Sequence, residues 1–469
     1  MRGAGFRDHR HRGTRRRGFY LVKLRFDPGT KTSGQALVGG VPLRVMRLSA
    51  AGAELVGKWR AGAEVVSGRK LAARLVAAGM VHPEYAEARS APRDVTAVIP
   101  VRDHAEQLRG LLPRLGELAE VLVIDDGSVV PVAGAAYRSR LARGPAAARE
   151  TGWRAAKTEL VAFLDADTRP EPGWLDALLP HFEDPGVVAV APRVRSEPGT
   201  SVLARYERAR SSLDLGDTPA QVRPGARVSY LPTAALVVRT SALHEVGGFD
   251  EGLRFGEDVD LVWSLVARGG SARYEPRSEV LHAPRPTWRS WLRQRFDYGT
   301  SAAPLARRHG RKALAPLRVS GWTALAWLAA AAGKPAGGAA IALGTAALLP
   351  RKLEPLGVPA RDSLAIALRG HLGAWRYFAD ALTRTWGPVA IPLLAATRRG
   401  RPILALALAR HLTEWARVKP GVGPARWLLA RTADDLSYGA GVWRGCLAQA
   451  TIGPLVPDLS NWPGRKTGT

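Results

Sequence analysis

Apolar residues occur in three kinds of run along this chain. Between residues 93 and 300 they form short, mostly β-branched blocks that end abruptly in polar or acidic residues. Val95–Val101 (VTAVIPV), Val121–Ile124, Val161–Leu164 and Val187–Ala191 are four such blocks. Continuous apolar strands of this length are buried on both faces, as in parallel sheets. Between them the spacing becomes helical. Leu108, Leu111, Leu112 and Leu115 predict one apolar helix face, and Ala146–Ala156 an Ala-rich helix. Strands alternating with helices predict an open α/β sheet.

Residues 19–92 read as a separate small module. Ala36–Ser49 (ALVGGVPLRVMRLS) predicts two short strands around Gly39-Gly40, a hairpin signal. Ser49 is an N-cap for a helix through about Arg60. Ser67 caps a second helix, with Leu71, Leu75 and Val76 at helical spacing and Gly79 near its end. Hairpin plus small helices suggests a winged-helix-like fold; the alternative is a purely structural extension.

Residues 301–469 are mainly helical in pattern. Gly321–Gly333 and Ala336–Leu349 are apolar runs broken by Lys334-Pro335, and Pro388–Thr397 and Pro402–Ala409 are shorter still. Each falls short of the roughly twenty residues that span a bilayer. They read as buried helices, or as helices lying on an anionic membrane surface beside Arg398, Arg399 and Arg401. No internal repeat is evident.

Composition adjusts this picture. A chain of 469 residues is too long for one core, so two or three domains are expected. The single cysteine, Cys446, excludes an internal disulfide, reads as a packed residue, and suits a reducing, cytoplasmic compartment. The net charge of +27 is uneven. Residues 1–18 hold seven Arg against one Asp, and residues 300–469 hold 23 Lys and Arg against seven Asp and Glu. The stretch between is nearly neutral. The N-terminus is positive but has no apolar run behind it, so it is no secretory signal and reads as a disordered basic tail.

The candidate chemistry is acidic. VLVIDDGS (Val121–Ser128), VAFLDAD (Val161–Asp167) and GEDVD (Gly256–Asp260) follow in order. Carboxylates at the carboxyl ends of parallel strands open onto a crevice suited to a nucleotide and a divalent metal. Asp125 and Asp126 are candidates to bind uracil or ribose, although D-G-S is also turn chemistry. Asp165 and Asp167 offer hard oxygens to Mg²⁺ or Mn²⁺, with His282 as a third ligand or a phosphate contact. Asp258 is the candidate general base and Glu257 its support; helix N-terminal charge is the plain alternative. Asp260 is expected to cap that helix. Trp288, Trp291 and Phe296 lie near Arg293, Gln294 and Arg295, and Trp291, Gln294 and Arg295 are the candidate acceptor-binding residues.

These motifs resemble the family 2 glycosyltransferases of GT-A fold over about residues 95–300. Val98-Ile99-Pro100, IDDGS, ARxxG at Arg149–Gly152, FLDAD, GGFDE at Gly247–Glu251 and GEDVDL carry the resemblance. It implies a Rossmann-like nucleotide-diphospho-sugar transferase domain in which Pro100, Asp126, Arg149, Asp165 and Asp167 bind a UDP-sugar and metal, and Asp258 is the base. Two features depart from the family pattern. Glu150 stands where Asn is usual after the Arg, which is expected to weaken nucleotide contacts. The Q-x-x-R-W motif of processive synthases is absent, leaving only Gln294-Arg295. FDPGTKTSGQALVGGVPLRVMRLSAAGAELV, FLDADTRPEPGWLDALLPHF and RTADDLSYGAGVWRGC are similar to the mycofactocin-system branch of the family. That similarity implies transfer of β-1,4-linked glucose to a small peptide-derived redox cofactor. A nucleic-acid-binding protein is the rival class, but it explains neither LDAD nor GEDVD, so no nucleic-acid partner is expected. A membrane polysaccharide synthase would need spanning helices.

Overall fold

The structure, a computed structural model, describes residues 22–86 and 88–460. The basic stretch 1–18 lies outside the described residues. The N-terminal part is a small α+β module. It runs β1 (Val22–Phe26), β2 (Lys31–Ser33), β3 (Ala36–Gly39), β4 (Arg44–Arg47), α1 (Ala50–Arg60), α2 (Arg69–Ala77) and β5 (Val81–Tyr85). β3 and β4 form the expected hairpin, β2 pairs with β3, and β1 pairs with β5. The Ser49 hydroxyl caps α1 by accepting from Gly52 N at 3.2 Å. Ser67 does not cap α2. Gly68 does, at φ +70, where a Cβ would press on Leu55 and Trp59.

The central sheet has nine strands among the described residues. In chain order they are β6 (Val95–Val101), β7 (Glu120–Asp125), β8 (Tyr137–Arg138), β9 (Leu160–Leu164), β10 (Thr168–Pro170), β11 (Val187–Ser196), β12 (Ala220–Gln221), β13 (Ala235–Arg239) and β14 (Ser271–His282). Their spatial order is β10-β14-β11-β13-β9-β6-β7-β8, with β12 on β14. β6 pairs parallel with both β7 and β9, and β13 enters antiparallel between β9 and β11. Alternate residues feed two cores. Val98, Val161, Phe163 and Leu236 face one layer, and Ala97, Ile99, Ala162 and Val237 the other. The first layer contains α4 (Pro145–Ala155), α6 (Thr240–Val246) and α7 (Glu257–Ala267). α3 (Ala105–Leu111) covers the second, and α5 (Val202–Arg210) lies beyond the end of β11. Leu108, Leu111 and Leu115 are buried as expected. Leu112 opens a separate 3₁₀ turn and stays exposed.

α8 (Trp288–Thr300) and α9 (Ala302–His309) lead into the helical region. It holds α10 (Gly321–Ala331), α11 (Pro335–Leu353), α12 (Ala360–Asp380), α13 (Gly387–Ala396), α14 (Gly400–Val418) and α15 (Pro424–Ala448). α15 lies against α8 along small residues. A Cβ on Gly299 would overlap the Tyr438 carbonyl, and one on Gly441 the Phe296 carbonyl. Cys446 is buried with Ala302, Ala303 and Val442. No helix among the described residues is long and apolar enough to cross a membrane. The apolar runs are only partly buried, for Leu328, Leu343 and Leu348 remain exposed.

The seam makes one substitution opposite in sign at two helical glycines. Gly441→Ala should destabilise by about 1–3 kcal/mol, because backbone must move to admit the methyl. Gly344→Ala has nothing within reach of its Cβ, and should stabilise by about 0.5–1 kcal/mol through helix propensity. Paired chemical-denaturation curves test this; equal effects of the two substitutions would contradict the close approach.

Candidate active site

The carboxyl ends of β6, β7 and β9 open into a cleft of about 1020 Å³. Every residue expected at the site lines it except Asp125 and Trp291. β7 delivers the Asp pair, and the strand alternation gives the two carboxylates different tasks. Asp125 is fully buried and holds the following turn, accepting from Ser128 N at 2.8 Å and Val132 N at 3.1 Å. Burial would raise its pKa, but these bonds and Arg138 outweigh burial and keep it below the usual range. It therefore holds a turn and lies outside the lining of the cleft, away from the position expected of a nucleotide contact. Asp126 faces the cleft and accepts from Arg143 N at 2.7 Å and Gly144 N at 2.8 Å, which fixes the loop into α4.

α4 sits close on the sheet because Gly152 has no side chain; a Cβ there would overlap Val98. This places Arg149, only 4% exposed, between two acids. Its Nη2 donates to Asp165 Oδ1 at 2.7 Å and its Nη1 to Glu257 Oε1 at 2.8 Å. The neighbouring Glu150 turns away from the cleft. It accepts from Trp153 Nε1 at 2.6 Å and Phe249 N at 2.8 Å, so it ties α4 to the GGFDE loop. The structure thus places Glu150, expected to weaken nucleotide contacts, outside the lining of the cleft.

Asp165 and Asp167 follow β9, and His282 ends β14. Their ligand atoms lie within 4.8 Å of one another, with His282 Nε2 at 3.3 Å from Asp167 Oδ1. Two hard carboxylates and one imidazole fit a divalent cation such as Mn²⁺ or Mg²⁺. Across the cleft, α7 begins at Glu257 after Gly256, whose φ of +81 and contact with Ser301 exclude a side chain. Asp258 is pushed up to about 7, first by burial and then by the charge of Glu257; Val259 N and Arg149 pull the other way. Asp260 does not cap the helix. It is buried and pairs with Arg308 at 2.9 Å and His309 at 2.7 Å, anchoring α9.

α8 presents two faces. Trp291, Arg295 and Gly299 form its buried stripe, while Gln294 and Tyr298 face the cleft. Trp291, expected to bind the acceptor, is thus placed in the core and outside the lining of the cleft. Its ring meets Tyr206 edge-on and its Nε1 donates to Glu207 at 2.8 Å. Trp288, Arg293 and Phe296 do not line the cleft either. Arg295 lines the cleft, while Glu207, Asp434 and Ser212 hold its guanidinium.

Further lining residues escaped the sequence reading: Tyr230, Tyr298, Arg285, Arg384, Asp434 and Tyr438. The last two belong to the RTADDLSYGAGVWRGC segment, which stood out but had no assigned chemistry. Arg384 stacks on Tyr438 at 3.8 Å and pairs with Asp435 at 3.0 Å and Asp434 at 3.6 Å. Arg431 pairs with Asp435 and Glu414, and Arg210 with Glu414. His411 is pushed down to about 4, by burial first and then Arg431. It adds no charge to this buried network at neutral pH.

Residues 96–247 match the family model "Glycosyl transferase family 2". The "Pre-mycofactocin glycosyltransferase" of Mycobacterium tuberculosis is 41% identical over 448 residues, covering 91% of this chain and 95% of that protein. "Succinoglycan biosynthesis protein ExoU" of Rhizobium meliloti is 31% identical over 40% of this chain and 60% of its own. Among solved structures, the mannosyltransferase PcManGT from Pyrobaculum calidifontis, in complex with GDP-Man and Mn²⁺, aligns over 74% of this chain and 90% of its own. Identity there is 17% and the TM-score 0.38.

The cluster of Asp165, Asp167 and His282 predicts Mn²⁺ binding. Asp167→Ala should weaken it by about tenfold or more, as read by electron paramagnetic resonance of added Mn²⁺. Unchanged Mn²⁺ affinity in that variant would remove Asp167 from the site.

Proposed function

Because the chain belongs to the family 2 glycosyltransferases and aligns over most of its length with the pre-mycofactocin glycosyltransferase, we propose that it moves glucose from UDP-glucose to premycofactocin. Further glucose units are then added through β-1,4 links. One observation carries this reading. Arg149 bonds both the D-x-D strand end and the first residue of α7, so donor-side and base-side acids share one cleft.

The roles divide across that cleft. Pro100 and Asp126 border the nucleoside. A divalent cation held by Asp165, Asp167 and His282 would neutralise charge on the diphosphate leaving group. Asp258 accepts the proton of the acceptor hydroxyl as its oxygen bonds to the sugar's C1 and the C1–phosphate bond breaks. Attack opposite the leaving group turns an α-linked donor into a β-linked product. A carboxylate raised by burial and by the charge of Glu257 is a better proton acceptor than an ordinary one. Glu257 stays bound to Arg149 and supports Asp258 through its charge. Gln294 borders the acceptor.

We also propose that the helical region rests on the inner face of the membrane. Leu364, Leu368 and Leu372 form an exposed stripe on α12, with Leu343 and Leu348 exposed on α11. Arg351, Lys352, Arg369 and Arg376 are exposed on the same two helices. Apolar residues flanked by cations suit anionic lipid.

Mass spectrometry should detect hexose increments on premycofactocin incubated with the protein and UDP-glucose. The rate should rise with pH through about 7 as Asp258 loses its proton. Asp258→Asn should cost about 10²–10⁴-fold and abolish that limb; near-normal turnover of the variant would refute the base assignment. Co-sedimentation with anionic vesicles should weaken as salt rises from 0.1 to 1 M, where the screening length falls from about 10 to about 3 Å. Absence of such binding would count against the membrane location.

A further inference from the structure

The N-terminal module meets the central sheet near the start of β14, and Arg273 lies at that junction. Up to roughly 30 Å of strand separates it from His282 at the other end of β14. Arg273 is only 4% exposed, and its Nε and Nη1 have no hydrogen-bond partner among the described residues. We propose that Arg273 and Arg223, with Arg44 at the rim, bind a small oxyanion of the phosphate class between the module and the sheet. None of the three lines the cleft, and the inference does not depend on the transferase reading.

Strand pairing brings the cations together. Arg273 stands directly opposite Gln221 of β12, so the two side chains share one face of the sheet. The Gln221 amide oxygen accepts from Arg223 Nη2 at 3.2 Å. The same nitrogen donates to the carbonyl of Ala77, the last residue of α2, at 2.6 Å. Arg223 is therefore held beside Arg273 and against the module. Its charge acts on Arg273, and that of Arg44 acts on it in turn. Arg44 is exposed on β4, so the junction opens to solvent on that side.

The acids nearby are engaged elsewhere. Glu275 lies two residues further along the same face of β14. It accepts from Arg277 Nε and Nη2, each at 3.0 Å, and meets His181 Nε2 at 3.1 Å. Asp184 accepts from Gly186 N at 2.9 Å and acts on the Tyr85 phenol. The Tyr85 ring, at the end of β5, meets His181 edge-on at 5.6 Å and closes the junction from the module side. Arg273 enters no ion pair among the described residues. Burial first, and Arg223 after it, pull its pKa below the ordinary range, against Tyr85 and Asp184. An arginine nevertheless stays protonated in a protein, so a buried positive charge is left without a counter-ion.

Such a group is costly to bury alone, and native structures supply it with an ion or a water. The charge balance selects the ion. Arg273, Arg223 and Arg44 against Asp184 leave an excess of about two positive charges, and a phosphate group carries about −1.5 to −2 at pH 7. A single carboxylate would neutralise only half of that excess, and water none of it. Guanidinium forks also match phosphate oxygens through paired, charge-assisted hydrogen bonds. An anion in this place joins β4 of the module to β14 of the sheet. Its binding therefore couples the seating of the module to the body that carries the cleft.

The test titrates the full chain calorimetrically with inorganic phosphate, with and without saturating UDP. Thermal denaturation is compared in phosphate and in chloride of equal ionic strength. Phosphate should bind whether or not UDP is present, and should raise the melting temperature above that in chloride. Arg273→Met should bind phosphate about tenfold or more weakly and lose that rise. In chloride it should melt no lower than the wild type, because an unpartnered buried charge is gone. Arg223→Met, at a half-buried position, should weaken phosphate similarly and gives the same readout if Arg273→Met fails to fold. Phenyl phosphate separates two sources of the anion. Equal binding of both probes assigns the terminal phosphate of a larger molecule, and binding of inorganic phosphate alone assigns the free ion. The proposal is overturned if the wild type binds no phosphate, if UDP displaces it, or if both variants keep the wild-type affinity. An Arg273→Met protein that melts earlier in chloride overturns it too, since the guanidinium would then serve the fold through water.

Discussion

The buried Arg149 guanidinium is the contact on which the rest of the cleft depends. It satisfies two carboxylates from elements far apart in sequence, the end of β9 and the start of α7. Neither acid could be held so near the other without it, because two unpaired anions in a poorly hydrated site repel and desolvate badly. Its position is in turn set by packing. Gly152 lets α4 settle on β6, and Gly256 lets α7 start against α9. A few absent methyl groups thus place one cation, and that cation sets the spacing between the end of β9 and the start of α7.

The cleft is not the property of the sheet alone. α8 contributes Gln294 and Tyr298 on one face while its other face is locked to α15. The N-terminal module is joined to both larger parts. Ser33 donates to Asp362 at 2.5 Å, and Arg223 donates to the Ala77 carbonyl at 2.6 Å. Ala36 and Val38 pack with Leu353 and Val358. Regions that differ sharply in composition therefore share side chains at their borders.

Much of this was legible beforehand, for identifiable reasons. Buried parallel strands must be apolar throughout, so β6, β7 and β9 announced themselves, and acids at their ends had to lie at a crevice. The Asp pair was harder. Adjacent residues at a strand end point to opposite sides, and nothing in IDDGS says which side is solvent; the answer came from the turn that Asp125 holds. Trp291 was a candidate acceptor contact because aromatic type alone does not reveal helix phase, and its stripe with Arg295 and Gly299 proved to be the inward one. Glu150 differed from the family pattern at a position whose partners, Trp153 and Phe249, are visible only once the chain is folded. Asp434 and Tyr438 reach the cleft through a contact between α15 and α8 across about 140 residues, which no local pattern encodes. The apolar runs after residue 320 specified helices but not which of their sides would be covered.

The α8–α15 seam also bears on how such a protein can be recombined. Its backbones touch at Gly299, Gly441 and Gly445, where neither helix tolerates a side chain from the other. A crossover placed near residue 300, where the composition changes, would separate two surfaces that fit only as a matched pair. Exchange of the C-terminal helices between relatives would have to carry α8 with them. The unit that can be inherited intact begins inside the apparent catalytic domain.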